Sequence, residues 1–153
     1  MAIKKKKVEI LNKRADFDYT LLQRYQAGIE LLGTEVKSIR DGKVNLTDAY
    51  CYMYKGELFV KNLHISEYKM GINNNHVPRR VRKLLLTSQE LRKIESRIKE
   101  KGLTVAPIRI YEGERNFLKM EISLAQGKKR FGKKEAKKEK DIKRELQRNL
   151  RIK

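Results

Sequence analysis

The sequence has few of the residues from which enzymes usually build catalytic and metal sites. Its 153 residues include two histidines, one cysteine and no tryptophan. A single cysteine excludes an internal disulfide, and Cys51 is expected to be a core thiol rather than a nucleophile. His64 and His76 are accompanied by no serine-nucleophile motif, no Gly-rich phosphate loop and no cluster of metal ligands. We therefore expect no enzymatic activity, no cofactor and no metal site.

Acidic residues are also scarce. The chain has 19 Asp and Glu against 38 Lys and Arg, which gives a net charge of +19. An excess of this size indicates a polyanionic partner. No apolar run approaches the ~20 residues of a membrane span, and no signal-peptide pattern is present, so we expect no membrane partner and a cytoplasmic location. A nucleic acid is the favoured partner.

The length suits one globular domain with short appendages. We expect a basic N-terminal arm over residues 1–11, a barrel domain over 12–126 and a basic tail over 127–153. The arm contains four consecutive lysines, Lys4 to Lys7. We expect it to be mobile until it meets phosphate, although such a run can also serve only solubility.

The first half of the domain predicts strands, a short helix and a hairpin. In FDYTLLQRYQAGIELLG, the pattern predicts two strands separated by a bend or bulge at Ala27-Gly28. GTEVKSIRDGK predicts a short helix with Thr34 as its N-cap and a stop at Gly42. AYCYMYKGELFVKNLHI predicts a β-hairpin, whose alternation places three tyrosines on one face. We favour packing for these rings over base stacking.

The second half of the domain predicts a long loop, one clear helix and two more strands. Residues 66–82 show no periodicity, and long loops in small domains often carry function. Thr87 and Glu90 then form a capping box before a helical apolar stripe that ends at Gly102. Strands follow in LTVAPIRIY and NFLKMEISLA. About six strands and two or three helices make the chain mainly β, and a small antiparallel β-barrel of the OB type is the simplest fold.

The segment PRRVRKLLL places several cations at the junction of the loop and an apolar strand. Guanidinium groups at such an edge can hold phosphate oxygens. No element suited to reading a DNA groove is evident, so structured or single-stranded RNA is preferred to duplex DNA. The alternative is a basic face that is merely solvated.

Seven motifs occur once each, in this order along the chain: NKRADFDY, AGIELLGTEVKS, NLTDAY, HISEY, NHVPRRVRKLLL, EKGLT and AQGKK. Together they resemble the SmpB family of SsrA-binding proteins. The resemblance implies an OB-fold-like barrel with added helices, and it implies that the barrel holds the tRNA-like domain of transfer-messenger RNA (tmRNA). It further implies delivery of that RNA to stalled ribosomes for trans-translation, with no bond made or broken by the protein.

The resemblance also implies which residues contact the RNA. Leu85, the middle leucine of KLLL, and Lys119 match family positions implicated in RNA binding. Gln26 stands where the family often has an acidic residue. His76 either contacts RNA or only orients its loop. The full set of expected tmRNA-binding residues is Gln26, His76, Arg80, Arg82, Lys83, Leu85 and Lys119.

The tail is the most basic part of the sequence. Residues 127–153 hold 13 Lys and Arg and 4 Asp and Glu, a net charge of +9. We expect it to be disordered when free, because this much repulsion prevents isolated folding. Ile142, Leu146 and Leu150 have i, i+4, i+8 spacing, which predicts a basic amphipathic helix on the ribosome, where all 27 residues would extend about 40 Å.

The resemblance implies that this tail enters the decoding centre of the small subunit and the empty mRNA channel. Gly132 departs from the family, whose tails commonly carry an aspartate there. The expected ribosome-binding residues are Lys128, Lys129, Phe131, Lys133, Lys134, Ile142, Lys143, Arg144, Leu146, Arg148 and Leu150. We expect the protein to be monomeric. The alternatives are a basic ribosomal protein and an OB-type RNA chaperone.

Overall fold

The computed structural model describes residues 7–70 and 75–127, which contain nine strands, three α-helices and one 3₁₀ helix, Glu114–Asn116. The strands are β1 (Glu9–Leu11), β2 (Tyr19–Ile29), β3 (Val44–Asn45), β4 (Tyr50–Tyr54), β5 (Glu57–Lys61), β6 (His64–Ile65), β7 (Arg82–Leu85), β8 (Thr104–Glu112) and β9 (Leu118–Gly127). The helices are α1 (Ala15–Asp18), α2 (Gly33–Arg40) and α3 (Ser88–Lys101). None of the helices within the described ranges is long and apolar enough to cross a membrane.

The main sheet closes on itself. Its strands follow one another in the order β8, β4, β5, β7, β2, β9, and β9 pairs with β8 again, always antiparallel. One edge of β8 is shared, because Val105 pairs with Cys51 of β4 while Ile110 pairs with Ile10 of β1. The predicted mainly β, antiparallel barrel is confirmed, and β1 adds the described end of the N-terminal arm to it.

Every second side chain along each strand points into the barrel and fills its interior. Leu58, Leu84, Ile110 and Met120 come from four different strands, and none has exposed surface. Cys51 belongs to the same core, and burial raises the pKa of its thiol. The expectation of a core thiol is therefore confirmed.

Helix α3 begins and ends as its sequence predicts. The Thr87 hydroxyl accepts from the Glu90 amide at 3.2 Å, and the Glu90 carboxylate accepts from the Thr87 amide at 3.1 Å. Gly102 takes the left-handed conformation at φ 60° and ends the helix. Leu91 and Ile94 are buried, so one face of α3 covers the core.

The β4–β5 hairpin is also confirmed. Its two turn residues, Lys55 and Gly56, have φ of 49° and 77°, as a type I′ turn requires. On the outer face Tyr52 stacks against Phe59 with ring centroids 5.8 Å apart. The tyrosine row therefore packs against its partner strand, which agrees with the favoured interpretation.

The irregularity in β2 lies earlier than predicted. Tyr19–Ile29 is one strand, and its pairing with β9 shifts between Leu21 and Arg24 rather than at Ala27-Gly28. The hydroxyl of Ser123 donates to the carbonyl of Gln23 at 3.2 Å, which gives a main-chain group inside the shifted segment a partner. The prediction was wrong because glycine is tolerated in a regular strand, whereas this shift occurs without one.

The N-cap of α2 is Leu32, not Thr34. The amide of Leu32 donates to the Glu35 carboxylate at 2.8 Å, so a side chain from inside the first turn replaces the expected cap. Thr34 instead directs its hydroxyl to the ring of His76. The long-range partner of Thr34 could not be read from local sequence.

Candidate nucleic-acid interface

Four residues face one another across four neighbouring strands on the outside of the barrel. Tyr111 of β8 lies opposite Lys119 of β9, Lys119 lies opposite Gly28 of β2, and Gly28 lies opposite Leu85 of β7. Strands are about 4.8 Å apart, so this outer row spans roughly 14 Å. Six of the eight chain neighbours of the row are buried in the core, which is why two of the predicted site residues, Leu85 and Lys119, meet here on the opposite, outer surface.

Gly28 leaves the middle of the outer row without a side chain. A Cβ added at this position would lie 3.2 Å from the Cβ of Leu85, a separation that would force Leu85 to shift. Leu85 is 47% exposed, so about half of its apolar surface faces solvent. The row therefore combines an exposed apolar side chain, bare backbone and a lysine. Such a surface suits a ribose or base beside a phosphate.

Gln26 belongs to the next row along the same face. It lies opposite Glu121, which in turn lies opposite Arg109 of β8. The hydroxyl of Tyr111 donates to the side-chain carbonyl of Gln26, and the Arg109 guanidinium lies 4.1 Å from the Tyr111 ring centroid. These contacts fix the orientation of the Gln26 amide.

Glu121 supplies the negative charge of this second row. Its carboxylate accepts from Arg109 at 2.7 Å and from Arg24 at 3.2 Å. Burial alone would raise the pKa of Glu121, but the hydrogen bonds from the two arginines outweigh burial and lower the pKa below its ordinary value. Glu121 is therefore ionised at neutral pH and neutralises part of the local positive charge.

Lys83 lies two residues before Leu85 on β7 and points to the same outer face. Its ammonium lies 3.7 Å from the carboxylate of Glu57, and its side chain is 34% exposed. An ion pair this long and this exposed contributes little to stability. Lys83 is therefore available to a phosphate at modest cost.

Arg82 is enclosed by protein, which does not fit the phosphate contact expected from the sequence. Its side chain has no exposed surface, and its Nε donates to the Glu35 carboxylate. The remaining guanidinium nitrogens donate to the carbonyls of Leu63, Pro78 and Arg80 at 2.8 to 3.1 Å. Arg82 holds the chain around β7 in place.

Arg80 is the outer member of the same charge cluster. It donates to the second Glu35 oxygen at 2.6 Å and retains 30% side-chain exposure. Burial alone would raise the pKa of Glu35, but hydrogen bonds from Arg80, the Leu32 amide and Arg82 lower it. Arg80 thus keeps part of its surface toward solvent while Glu35 orients it.

His76 is also held inside the protein. It is 3% exposed; its Nε2 lies 2.8 Å from the carbonyl of Ile65, and its Nδ1 lies 2.9 Å from the Thr34 hydroxyl. A carbonyl only accepts, so Nε2 carries the proton, and in the neutral ring Nδ1 accepts from Thr34. This geometry fits the second of the two roles considered for His76, that of orienting its loop.

Comparison with known proteins decides the family. The family model described as SmpB protein matches residues 9–152. The chain belongs to the SmpB family. The SsrA-binding protein of Phocaeicola vulgatus is 52% identical over 141 residues, which cover 92% of this chain and 94% of that protein. The SsrA-binding protein of Bacteroides thetaiotaomicron is 51% identical over 146 residues, covering 95% and 97%.

A solved structure is also similar. It is described as "tmRNA-SmpB: a journey to the center of the bacterial ribosome", and it aligns with a TM-score of 0.68 at 46% identity. The alignment covers 82% of this chain and 88% of the other. The two chains are therefore similar in fold as well as in sequence.

Sequence reasoning missed four residues of this SmpB surface, namely Gly28, Arg109, Tyr111 and Glu121. Their positions beside Gln26 and Lys119 depend on pairing between strands that are far apart in sequence. A strand pattern shows which residues point outward, but not which residues of other strands lie beside them. The predicted tail residues, Lys128 to Leu150, lie outside the described residues.

Proposed function

We propose that this protein is an RNA-binding factor of trans-translation: it binds the tRNA-like domain of tmRNA and brings that RNA to stalled ribosomes in the cytoplasm. The observation that carries the proposal is the outer row, in a chain of the SmpB family. The relatives' name, SsrA-binding protein, and the pairing of tmRNA with SmpB in the similar structure support the choice of RNA.

Each member of the outer row has a distinct part in this proposal. Lys119 binds a phosphate, and Leu85 packs against a ribose or an unstacked base. Gly28 between them lets the RNA backbone come close to the strand, because no side chain stands there. Gln26, oriented by Tyr111, offers its amide to a ribose hydroxyl.

Residues from the 66–82 loop and β7 extend this contact. Lys83 and Arg80 retain exposed surface and bind phosphate oxygens. Arg82 and His76 support them from inside, through Glu35 and Thr34 respectively. The protein reads the shape and backbone of a folded RNA, and its binding involves no catalytic step.

The tail has a separate part in the proposal. Its net charge of +9 over residues 127–153 suits a path lined with ribosomal RNA phosphates. We assign it to the decoding centre and the empty mRNA channel, where phosphates screen its repulsion and allow the amphipathic helix to form. The barrel thus selects the RNA, and the tail selects the vacant ribosome.

A binding comparison separates this proposal from its alternatives. The affinity of the full chain is measured for the tRNA-like domain of tmRNA and for an unstructured RNA of the same length, at several salt concentrations. We expect a clear preference for the tRNA-like domain at every salt concentration. Equal affinity for both RNAs would favour a chaperone, and stoichiometric co-sedimentation with all ribosomes would favour a ribosomal protein.

A further inference from the structure

A groove separates α3 from the first half of β2. It encloses about 1110 Å³, and residues 22–25 of β2 form one wall where the pairing with β9 shifts. The outward side of α3 forms the other wall, and Leu103 and Leu124 contribute apolar surface. The outer row uses a different part of β2, residues 26–28, so the groove is a separate feature of the same strand.

Positive charge concentrates on the α3 wall. Lys93, Arg97 and Lys101 repeat at intervals of four residues, so they lie on one side of the helix over about 12 Å. In residues 7–70 and 75–127, no carboxylate oxygen lies within 4.0 Å of these three cations, whereas Lys99 on another side of α3 is paired with Glu95. The three cations repel one another across solvent, and an anion placed among them would relieve that repulsion.

The one carboxylate of this wall is already occupied. Glu90 lines the groove, and it accepts hydrogen bonds from the amide and the hydroxyl of Thr87 at 3.1 and 3.0 Å. Its position is therefore fixed by the start of the helix. Glu90 does not neutralise the cations further along α3.

Arg24 connects the groove to the candidate interface. It lines the groove, its side chain is 54% exposed, and it pairs with Glu121 at 3.2 Å. Glu121 lies directly opposite Gln26 of the interface. Arg24 therefore places one cation, paired with Glu121, between Gln26 and the α3 wall.

We propose that this groove binds the phosphate backbone of a second segment of the same RNA that the outer row binds. The inference rests on the proposed function, because it takes the RNA on the outer row as its starting point. The basic tail is unsuited to the groove, since both are positive. A stripe of about 12 Å is long enough to contact more than one phosphate of a single RNA strand. These contacts increase affinity without reading bases.

A charge-matched pair of variants tests the proposal in the full chain. The groove variant combines Lys93→Gln with Arg97→Gln, and the control combines Lys43→Gln with Lys99→Gln. The control positions are exposed and neither lines the groove. Glutamine is a good helix former, so folding should persist in all variants, which circular dichroism checks. The probe is the tRNA-like domain of tmRNA, titrated from 50 to 200 mM salt.

We expect the groove variant to reduce the slope of log affinity against log salt by about 1.4 to 1.8, as the loss of two phosphate contacts predicts. Between 50 and 200 mM salt, the fall in its affinity would therefore be smaller than that of the original chain by a factor of roughly seven to twelve. The control should retain the original slope. This difference would support a direct contact, because both variants lose the same charge.

The failures of the two proposals give different results. If the original chain prefers the tRNA-like domain but the groove variant keeps its slope and affinity, the groove inference is overturned and the proposed function stands. The groove inference is likewise overturned if the groove variant loses binding only to ribosomes or to an acidic protein. If the original chain shows no preference for the tRNA-like domain, the proposed function fails, and the groove inference fails with it.

Discussion

Glu35 of α2 and Arg82 of β7 form an ion pair in which neither side chain has exposed surface. Arg80 binds the second carboxylate oxygen, and Arg82 also donates to the carbonyl of Leu63 before the 66–82 loop and to that of Pro78 within it. The pair therefore ties α2 to the segment that leads into β7. Leu85 of the outer row lies three residues beyond Arg82, so its position depends on two charges that are fully buried.

The variant Arg82→Met should destabilise the protein by about 3 kcal/mol or more, because it leaves the buried Glu35 carboxylate with Arg80 as its one cationic partner and removes donors from the carbonyls of Leu63 and Arg80. Denaturant unfolding measures the free energy, and RNA titration of the remaining folded protein measures affinity. Lys83→Met, at the neighbouring exposed position, should change stability by less than about 1 kcal/mol. If Arg82→Met were stable but had lost RNA affinity, the result would instead support a direct contact between Arg82 and a phosphate.

Stability should fall in acid, partly through Glu35. The pKa of this carboxyl is lowered in the folded protein, so its contribution is present above the ordinary value of 4.5 and is lost as pH falls through the lower folded pKa. Unfolding free energies from pH 6 to pH 3 should decrease less steeply in Glu35→Gln than in the original chain. Identical pH dependence of the two proteins would show that Glu35 is not perturbed.

Gly28→Ala should weaken RNA binding more than it weakens the fold. The new Cβ would stand between Lys119 and Leu85 and displace Leu85, so we expect about a tenfold loss in affinity, or roughly 1.4 kcal/mol. The free energy of unfolding should change by about 1 kcal/mol or less. Gly33→Ala is the control, because a Cβ there meets no atom within 4 Å. Unchanged affinity in Gly28→Ala would contradict the proposal that RNA approaches the backbone at Gly28.

Two residues of the outer row should respond differently to salt. Lys119→Gln should reduce the salt slope by about 0.7 to 0.9, as expected for one phosphate contact. Leu85→Ala should lower affinity at every salt concentration without changing the slope, since it removes an apolar contact. RNA titrations at four salt concentrations distinguish the two effects. A lower slope in Leu85→Ala would mean that this substitution disturbs the cations around it.

Removal of the tail should separate two activities. A chain ending at Gly127 should keep most of its affinity for the tRNA-like domain but fail to support peptide tagging on stalled ribosomes. The combination of Leu146→Gln with Leu150→Gln keeps the charge and removes two apolar residues. Loss of tagging in this variant would support the amphipathic helix, whereas full tagging would show that charge alone suffices.

Local sequence patterns correctly predicted the elements that are determined by residues close together in the chain. The Thr87–Glu90 capping box, the Gly102 stop and the Lys55-Gly56 turn depend on residues within a few positions of one another, and each was confirmed. The number and order of the predicted segments indicated an antiparallel barrel, and the family motifs implied the same fold. By contrast, no local pattern distinguishes the shift between Leu21 and Arg24 from a regular strand.

The sequence named Gln26, Leu85 and Lys119 as candidate contact residues, but it did not give the strand arrangement that brings them onto one surface. A basic loop before an apolar strand looks the same whether its arginines face solvent or protein, and only the presence of Glu35 on α2 buries Arg82. In the same way, Thr34 is a residue type favoured at N-caps, yet its hydroxyl hydrogen-bonds to the ring of His76, which lies in a distant loop. These outcomes depend on tertiary contacts, which override local preferences.

Selection of one folded RNA by the outer row can be tested in cells. The RNA recovered with the full chain from bacteria is sequenced beside the RNA recovered with a variant that combines Leu85→Ala with Lys119→Gln. We expect strong enrichment of tmRNA with the original chain and loss of that enrichment with the variant. A broad mixture of RNAs with both proteins, or equal tmRNA enrichment with both, would show that the outer row does not select this RNA.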